Sequence, residues 1–156
     1  MREGNCNMIN DKNFMVRQIS VFIDNRHASL AEMMRVLANR DINIRALSLA
    51  ETRDFGTTRI IVADVDICIG ILHNAGYHLI ETDVLAVEVA DRPGGMADVL
   101  ECVAGEHINV EYAYAMIEKR EGFAIIILHV DNPGKAIMAL QKKNIRLLTK
   151  EDITLL

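Results

Sequence analysis

One stretch of this chain returns later in it. A shift from position 25 to position 91 carries Asn25-Arg26-His27-Ala28-Ser29-Leu30-Ala31-Glu32 onto Asp91-Arg92-Pro93-Gly94-Gly95-Met96-Ala97-Asp98. The same shift carries Ile42-Asn43-Ile44 onto Ile108-Asn109-Val110. Two matches at one offset reduce the folding problem to a unit of roughly 65–70 residues written twice. A chain of 156 residues accommodates two such units, and a lone unit would bury only about 60% of its unfolded surface. The halves are therefore expected to share a buried interface. Residues 1–16 read as an N-terminal extension, 17–85 as the first domain and 86–156 as the second.

Composition bounds the function. Apolar residues make up 51% of the chain, yet no run approaches the ~20 needed to span a bilayer, so no membrane association is expected. Residues 1–7 lack the apolar stretch of a secretion signal, which implies a cytoplasmic location. Cys6, Cys68 and Cys102 are odd in number and scattered, which argues against a disulfide framework and makes Cys68 and Cys102 small core residues. A net charge of −5 with 4% aromatic residues excludes a stacking, basic nucleic-acid surface. His73, His78, His107 and His129 show no ligand-like spacing, so neither metal nor cofactor is implied.

Periodicity supplies the elements of one unit. Ile19, Val21 and Ile23 alternate with Gln18, Ser20 and Phe22 as a strand. Leu30, Met33, Met34 and Leu37 mark one face of a helix over 29–40. Strands at 44–51 and 58–63 flank a turn at 53–56. Asp64 to Asp66 cap a helix at 67–75 that Gly76 stops, and 77–82 is a fourth strand. The second unit repeats the order with strands at 86–90, 111–118, 123–130 and 145–148. Its helices are 95–105 and one opened by Asp131-Asn132-Pro133. The class is α+β: two ferredoxin-like βαββαβ units side by side, each an antiparallel sheet with helices on one face. Leu47, Leu49, Phe22 and Ile61 fall on the face away from the main apolar set. A second sheet is therefore expected to cover that face, and a homodimer is the expected source.

The segment from Asp91 to Met96 carries the sharpest chemistry. Gly94 and Gly95 leave backbone N–H groups at a helix entrance, where half a positive charge favours a carboxylate. Asp91 suits an ammonium, and Asn109 offers both donor and acceptor. The alternative is a tight loop in which Asp91 caps its own helix. Tyr112 and Tyr114, on the side of Val110, wall either a ligand or the core. Glu32, Asp98 and Glu101 read as solvated helix positions.

An apolar strand, Asp-Arg-Pro-Gly-Gly-Met, an amphipathic helix and His-Ile-Asn-Val together resemble the ACT domain, and both units share the likeness from about residue 17 onward. The resemblance implies a stand-alone pair of ACT domains: a non-catalytic regulatory protein that binds a free amino acid between domains. It implies binding positions at Asp91, Gly94, Gly95, Met96 and Asn109, with Arg92 and Pro93 in the same loop. In the first unit the matching positions are Asn25, Ala28, Ser29, Leu30 and Asn43. His27 and Ala28 depart from Pro-Gly there, Ser29 is a candidate helix cap, and neutral Asn25 replaces Asp91. A stronger site is therefore expected in the second unit. The alternative is the regulatory subunit of an amino-acid biosynthetic enzyme, resembling that of acetolactate synthase, which pairs one ACT domain with a different C-terminal half. No convergent acid and base point to catalysis.

Overall fold

The computed structural model describes residues 8–51 and 55–156. Cys6, and Arg53 and Asp54 of the expected turn, lie outside the described residues. In chain order the elements are α1 (Met8–Phe14), β1 (Met15–Asp24), α2 (Ser29–Ala38), β2 (Ile44–Glu51), β3 (Phe55–Val62), α3 (Val65–Asn74), β4 (His78–Ala90), α4 (Gly95–Gly105), β5 (Val110–Arg120), β6 (Phe123–Val130), α5 (Pro133–Lys142), β7 (Leu147–Leu148) and α6 (Lys150–Leu155). The expected fourth strand of the first unit and first strand of the second are one continuous strand, β4. No Gly or Pro interrupts it. Among the described residues, no helix is long and apolar enough to cross a membrane.

Among the described residues, contacts divide the chain into one unit spanning 17–82 with 153–156, and another of 83–152 with 8–16. In the first, β3 pairs antiparallel with both β1 and β2, and β1 pairs with β4. Ile19, Val21, Ile23, Ile60 and Val62 meet Met33, Leu37, Cys68 and Leu72 of the helices in one cluster. Both helices thus cover one sheet face. Gln18, Ser20 and Ile61 on the other face are also buried.

The second unit has the same strand order, β7-β4-β6-β5, all antiparallel. Its core joins Leu85, Val87 and Leu128 of the sheet to Val99, Val103, Ile137 and Leu140 of α4 and α5. Helix α1, read from sequence as part of an extension, brings Phe14 against this core. Helix α6 follows the last strand, beyond the elements expected from periodicity. Its signal is Thr149-Lys150-Glu151-Asp152, a capping box. The Thr149 amide donates to Asp152 Oδ2 at 2.8 Å, and the Asp152 amide donates to Thr149 Oγ1 at 3.1 Å. The expected caps hold elsewhere: Asp64 Oδ1 accepts from the Ile67 amide at 3.2 Å, and Asn132 Oδ1 from the Lys135 amide at 3.1 Å.

Backbone irregularities repeat along with the sequence. Left-handed residues stand at Ala28 and Gly94, at Asp41 and His107, and at Gly76 and Asn144. Each pair occupies matching places in the two units. The Ile42 amide donates to Leu37 O, Ile108 to Val103 O, Tyr77 to Leu72 O and Ile145 to Leu140 O, so four helices end in the same six-residue closure. Register also shifts between Ile44 and Ala46 in β2, and between Val110 and Tyr112 in β5.

Those two bulges correct the sequence reading of the faces. An extra residue reverses the alternation beyond it. Leu47 pairs with Ile60, and Leu49 with Thr58, the partner of core residue Val21, which puts Leu47 and Leu49 on the helix side. Tyr112 pairs with His129 and not with core residue Leu128, which puts Tyr112 and Tyr114 opposite Val110.

Two stability measurements follow. Ala28 has φ 69°, a conformation costing an L-residue about 1–2 kcal/mol. Glycine removes that cost but adds unfolded-state freedom worth about 0.4–1 kcal/mol. Ala28→Gly is expected to raise the urea midpoint by the equivalent of about 0.5–1 kcal/mol. Fully buried Leu140 truncated to Ala should cost about 2–5 kcal/mol in the same assay.

Candidate ligand site

The two loops that join the first strand of each unit to its first helix share one backbone design. The Arg26 amide donates to Asp24 O at 2.9 Å, and the Arg92 amide to Ala90 O at 2.8 Å. The Glu32 amide reaches Ala28 O, and the Asp98 amide reaches Gly94 O, both at 2.9 Å. Ala28 and Gly94 are the N-caps, each left-handed, and neither helix has a side-chain cap. Asp91 therefore does not cap its own helix. Ser29 does not cap either: it lies inside the helix, and its buried Oγ has no hydrogen-bond partner.

An arginine clamps each loop onto the helix it feeds. Arg26 Nη2 donates to Glu32 Oε2 at 2.5 Å and Arg92 Nη2 to Asp98 Oδ2 at 2.6 Å. Each guanidinium also donates to the next residue's carbonyl, His27 O at 3.3 Å and Pro93 O at 3.1 Å. The bond from Arg26 holds the Glu32 carboxyl below the usual carboxylate range, and Glu32 in turn raises the Arg26 guanidinium. Glu32 and Asp98 are thus exposed but paired, a role their helix positions alone did not reveal. The signal was in the sequence: an arginine and an acid six residues apart in both copies.

The loops differ where the second glycine stands. A Cβ on Gly95 would lie 2.0 Å from Ala90 O, so this loop closes tightly, with the Gly95 amide 3.0 Å from Arg92 O. Ser29 carries a side chain at the matching place, and its amide sits 3.4 Å from Arg26 O. Asn25, Ser29 and Leu30 line a cleft of about 80 Å³ with Leu49 and Gly56. Ala28 and Asn43 are exposed. In the second unit Asp91 is exposed and its amide donates to Gly122 O at 3.0 Å. Asn109 is exposed, its amide held by Asp131 Oδ1 at 3.1 Å and its carbonyl by the Asp131 amide at 3.1 Å. Met96 packs partly on the core.

Elsewhere, Tyr112 stacks on His129 with centroids 4.8 Å apart and on Tyr114 at 6.5 Å. His129 Nδ1 lies 2.9 Å from Glu111 Oε2, near enough for an ion pair but off the line of a hydrogen bond. Burial pushes the Cys68 thiol up to about 11, which suits a core thiol. Among the described residues, no three His, Cys, Asp or Glu side chains gather to hold a metal.

The chain belongs to the ACT domain pair family, whose model matches residues 14–156. A solved structure of a protein from Bacteroides thetaiotaomicron is 32% identical, covers 92% of this chain and 98% of its own, and superposes with a TM-score of 0.85. The ligand-free regulatory subunit of aspartate kinase from Thermus thermophilus shares the fold at 18% identity, covering 83% of this chain and 92% of its own, TM-score 0.61. That from Thermus flavus does so at 17%, covering 81% and 90%, TM-score 0.58. No curated protein matches the sequence.

The clamp has a measurable signature. A carboxyl held low stabilises the fold above its unfolded pKa, and the benefit is lost as pH falls through the lowered folded value. In Arg26→Ala, the Glu32 carboxyl carbon should titrate at higher pH than in the wild type. An unchanged midpoint would mean that the pair does not form. Gly95→Ala should lower stability by about 1–3 kcal/mol, since the new methyl meets backbone.

Proposed function

We propose that this protein is a non-catalytic regulatory module that binds a free amino acid between ACT domains, as a homodimer whose packing responds to the ligand. The observation that carries this reading is the uncapped helix entrance behind Gly94. The Gly95 amide is taken by Arg92 O, which leaves the Met96 and Ala97 N–H groups to meet a carboxylate, while the exposed Asp91 suits the ammonium and Asn109 supplies a donor and an acceptor. Asn25 lacks Asp91's charge, so the second unit's loop is the stronger site and the first unit's the weaker. Arg92 and Pro93 shape that loop, the former by clamping Asp98.

A ligand acts on such a module only through its different affinity for two states. A partner enzyme that reads the state fits the ACT pair, and the fold shared with the aspartate kinase regulatory subunits supports that role. The match of a domain pair over 14–156 favours this reading over a subunit with one ACT domain and an unrelated C-terminal half.

A thermal-denaturation screen against the twenty amino acids tests the proposal. A ligand at a hundred times its Kd adds about 2.7 kcal/mol, a rise of several degrees for a chain of this size. Asp91→Ala should abolish the rise, and Asn25→Ala should reduce it less. No shift with any amino acid would contradict the proposal, and the reverse order of the two variants would move the stronger site to the first unit.

A further inference from the structure

Each unit carries a wider cleft beside its loop, walled by the first helical turn and by the connection from the second helix to the last strand. The second unit's, about 310 Å³, is lined in part by Ala90, Gly95, Asp98, Phe123, Ile145 and Arg146. The first unit's, about 290 Å³, is lined in part by Asp24, Arg26, Glu32, Tyr77 and His78. The repeat makes the two comparable. Ala90 pairs with Phe123 as Asp24 pairs with Phe55, and left-handed Asn144 and Gly76 make Ile145 the counterpart of Tyr77 and Arg146 that of His78.

The clefts differ in what they leave open. In the second, the charges at the rim are engaged: Asp98 takes a bond from Arg92 at 2.6 Å, and Arg146 lies 3.6 Å from Glu88 and 3.9 Å from Asp152. The remaining wall is apolar. Phe123 is 42% exposed, and Ala90 and Ile145 are partly exposed beside it. An apolar side chain on a convex surface is ordinary, but in the wall of a cleft it is area that a ligand can remove from water. In the first cleft the carboxylate of Asp24 replaces the methyl of Ala90, and Phe55 lines neither that cleft nor the narrower one beside it.

We infer that the amino acid taken by the second unit's loop carries an apolar side chain of leucine's size or larger, and that Phe123 is the residue that selects it. The inference rests on the amino-acid reading of that loop and adds to it where the side chain goes. Gly95 and Asp98 bring the first turn of α4 to the edge of the cleft, so a carboxylate on the Met96 and Ala97 N–H groups is held at its margin. Gly122 O takes the Asp91 amide at 3.0 Å, and Phe123 is the next residue. The counter-ion for the ammonium and the apolar wall are thus joined through one hydrogen bond. The ligand's side chain leaves the loop into the cleft, against Phe123, Ala90 and Ile145. In the first unit the same side chain would meet the charge of Asp24.

The test is a titration of the full chain with alanine, asparagine and leucine, followed through its backbone amide resonances. Alanine reports the main-chain contacts alone, and asparagine has leucine's branched outline with a polar end. All three should move residues 91–96, and leucine alone should also move Phe123 and Ile145. Its Kd should lie at least about tenfold below the other two, the scale of one buried apolar side chain. Phe123→Ala should remove that advantage and Phe123→Leu restore most of it, while Phe55→Ala leaves it in place. Asparagine or alanine binding as tightly as leucine to the unaltered chain would overturn the inference while the reading of the loop stands, and that comparison needs no variant to fold. A leucine advantage that survives Phe123→Ala would overturn it too. No response at 91–96 to any of the twenty amino acids would instead remove the reading itself, and the inference with it.

Discussion

The left-handed residue ahead of each unit's first helix is the constraint on which the shape of its candidate loop depends. It turns the chain sharply enough for Glu32 or Asp98 to take its amide bond from the residue at the turn, and for the preceding arginine to fold back onto that acid. It also starts the helix without a side-chain cap, so first-turn N–H groups are left for something else. Gly94 adopts this conformation at little cost, whereas Ala28 adopts it against its own Cβ. That the first unit keeps the turn despite the penalty indicates how strongly the surrounding strand, helix and clamp determine it.

The duplication has conserved backbone geometry more faithfully than side-chain chemistry. Turns, bulges and helix endings recur in both units at matching places, even where glycine is replaced by alanine or asparagine. Side chains at the same positions differ in charge and size: Asn25 against Asp91, Ser29 against Gly95, His78 against Arg146. Gly95 lets the second loop close on Ala90 O, while Ser29 holds the first open by its own volume and buries an unpaired hydroxyl. Two units of one fold thus present two different surfaces at one structural address.

Much of this was legible in the chain. Period-2 and period-3.6 patterns placed the main strands and helices, and Asp64 and Asn132 announced their caps. The faces of β2 and β5 were not legible, because a bulge at residue 45 or 111 reverses the alternation while leaving no Gly or Pro to mark it. Continuity of β4 was hidden because the repeat itself suggested a boundary near residue 85. The signal for helix α6 is the capping box of Thr149 and Asp152. At the candidate loops, the order of residues singles out Asp91 and Asn109 as the groups proposed to meet a ligand. It did not reveal the arginine clamps, which form between residues that only the turn brings together.

The central claim is that an amino acid seats on the loop behind Gly94 in preference to its counterpart behind Ala28. Amide resonances of the full chain, followed during titration with whichever amino acid raises its melting temperature most, report on both loops at once. The account predicts that residues 91–96 and Asn109 respond first and saturate, ahead of any response at Asn25, Ser29 or Asn43. Saturation at the first unit's loop with residues 91–96 unmoved would contradict it.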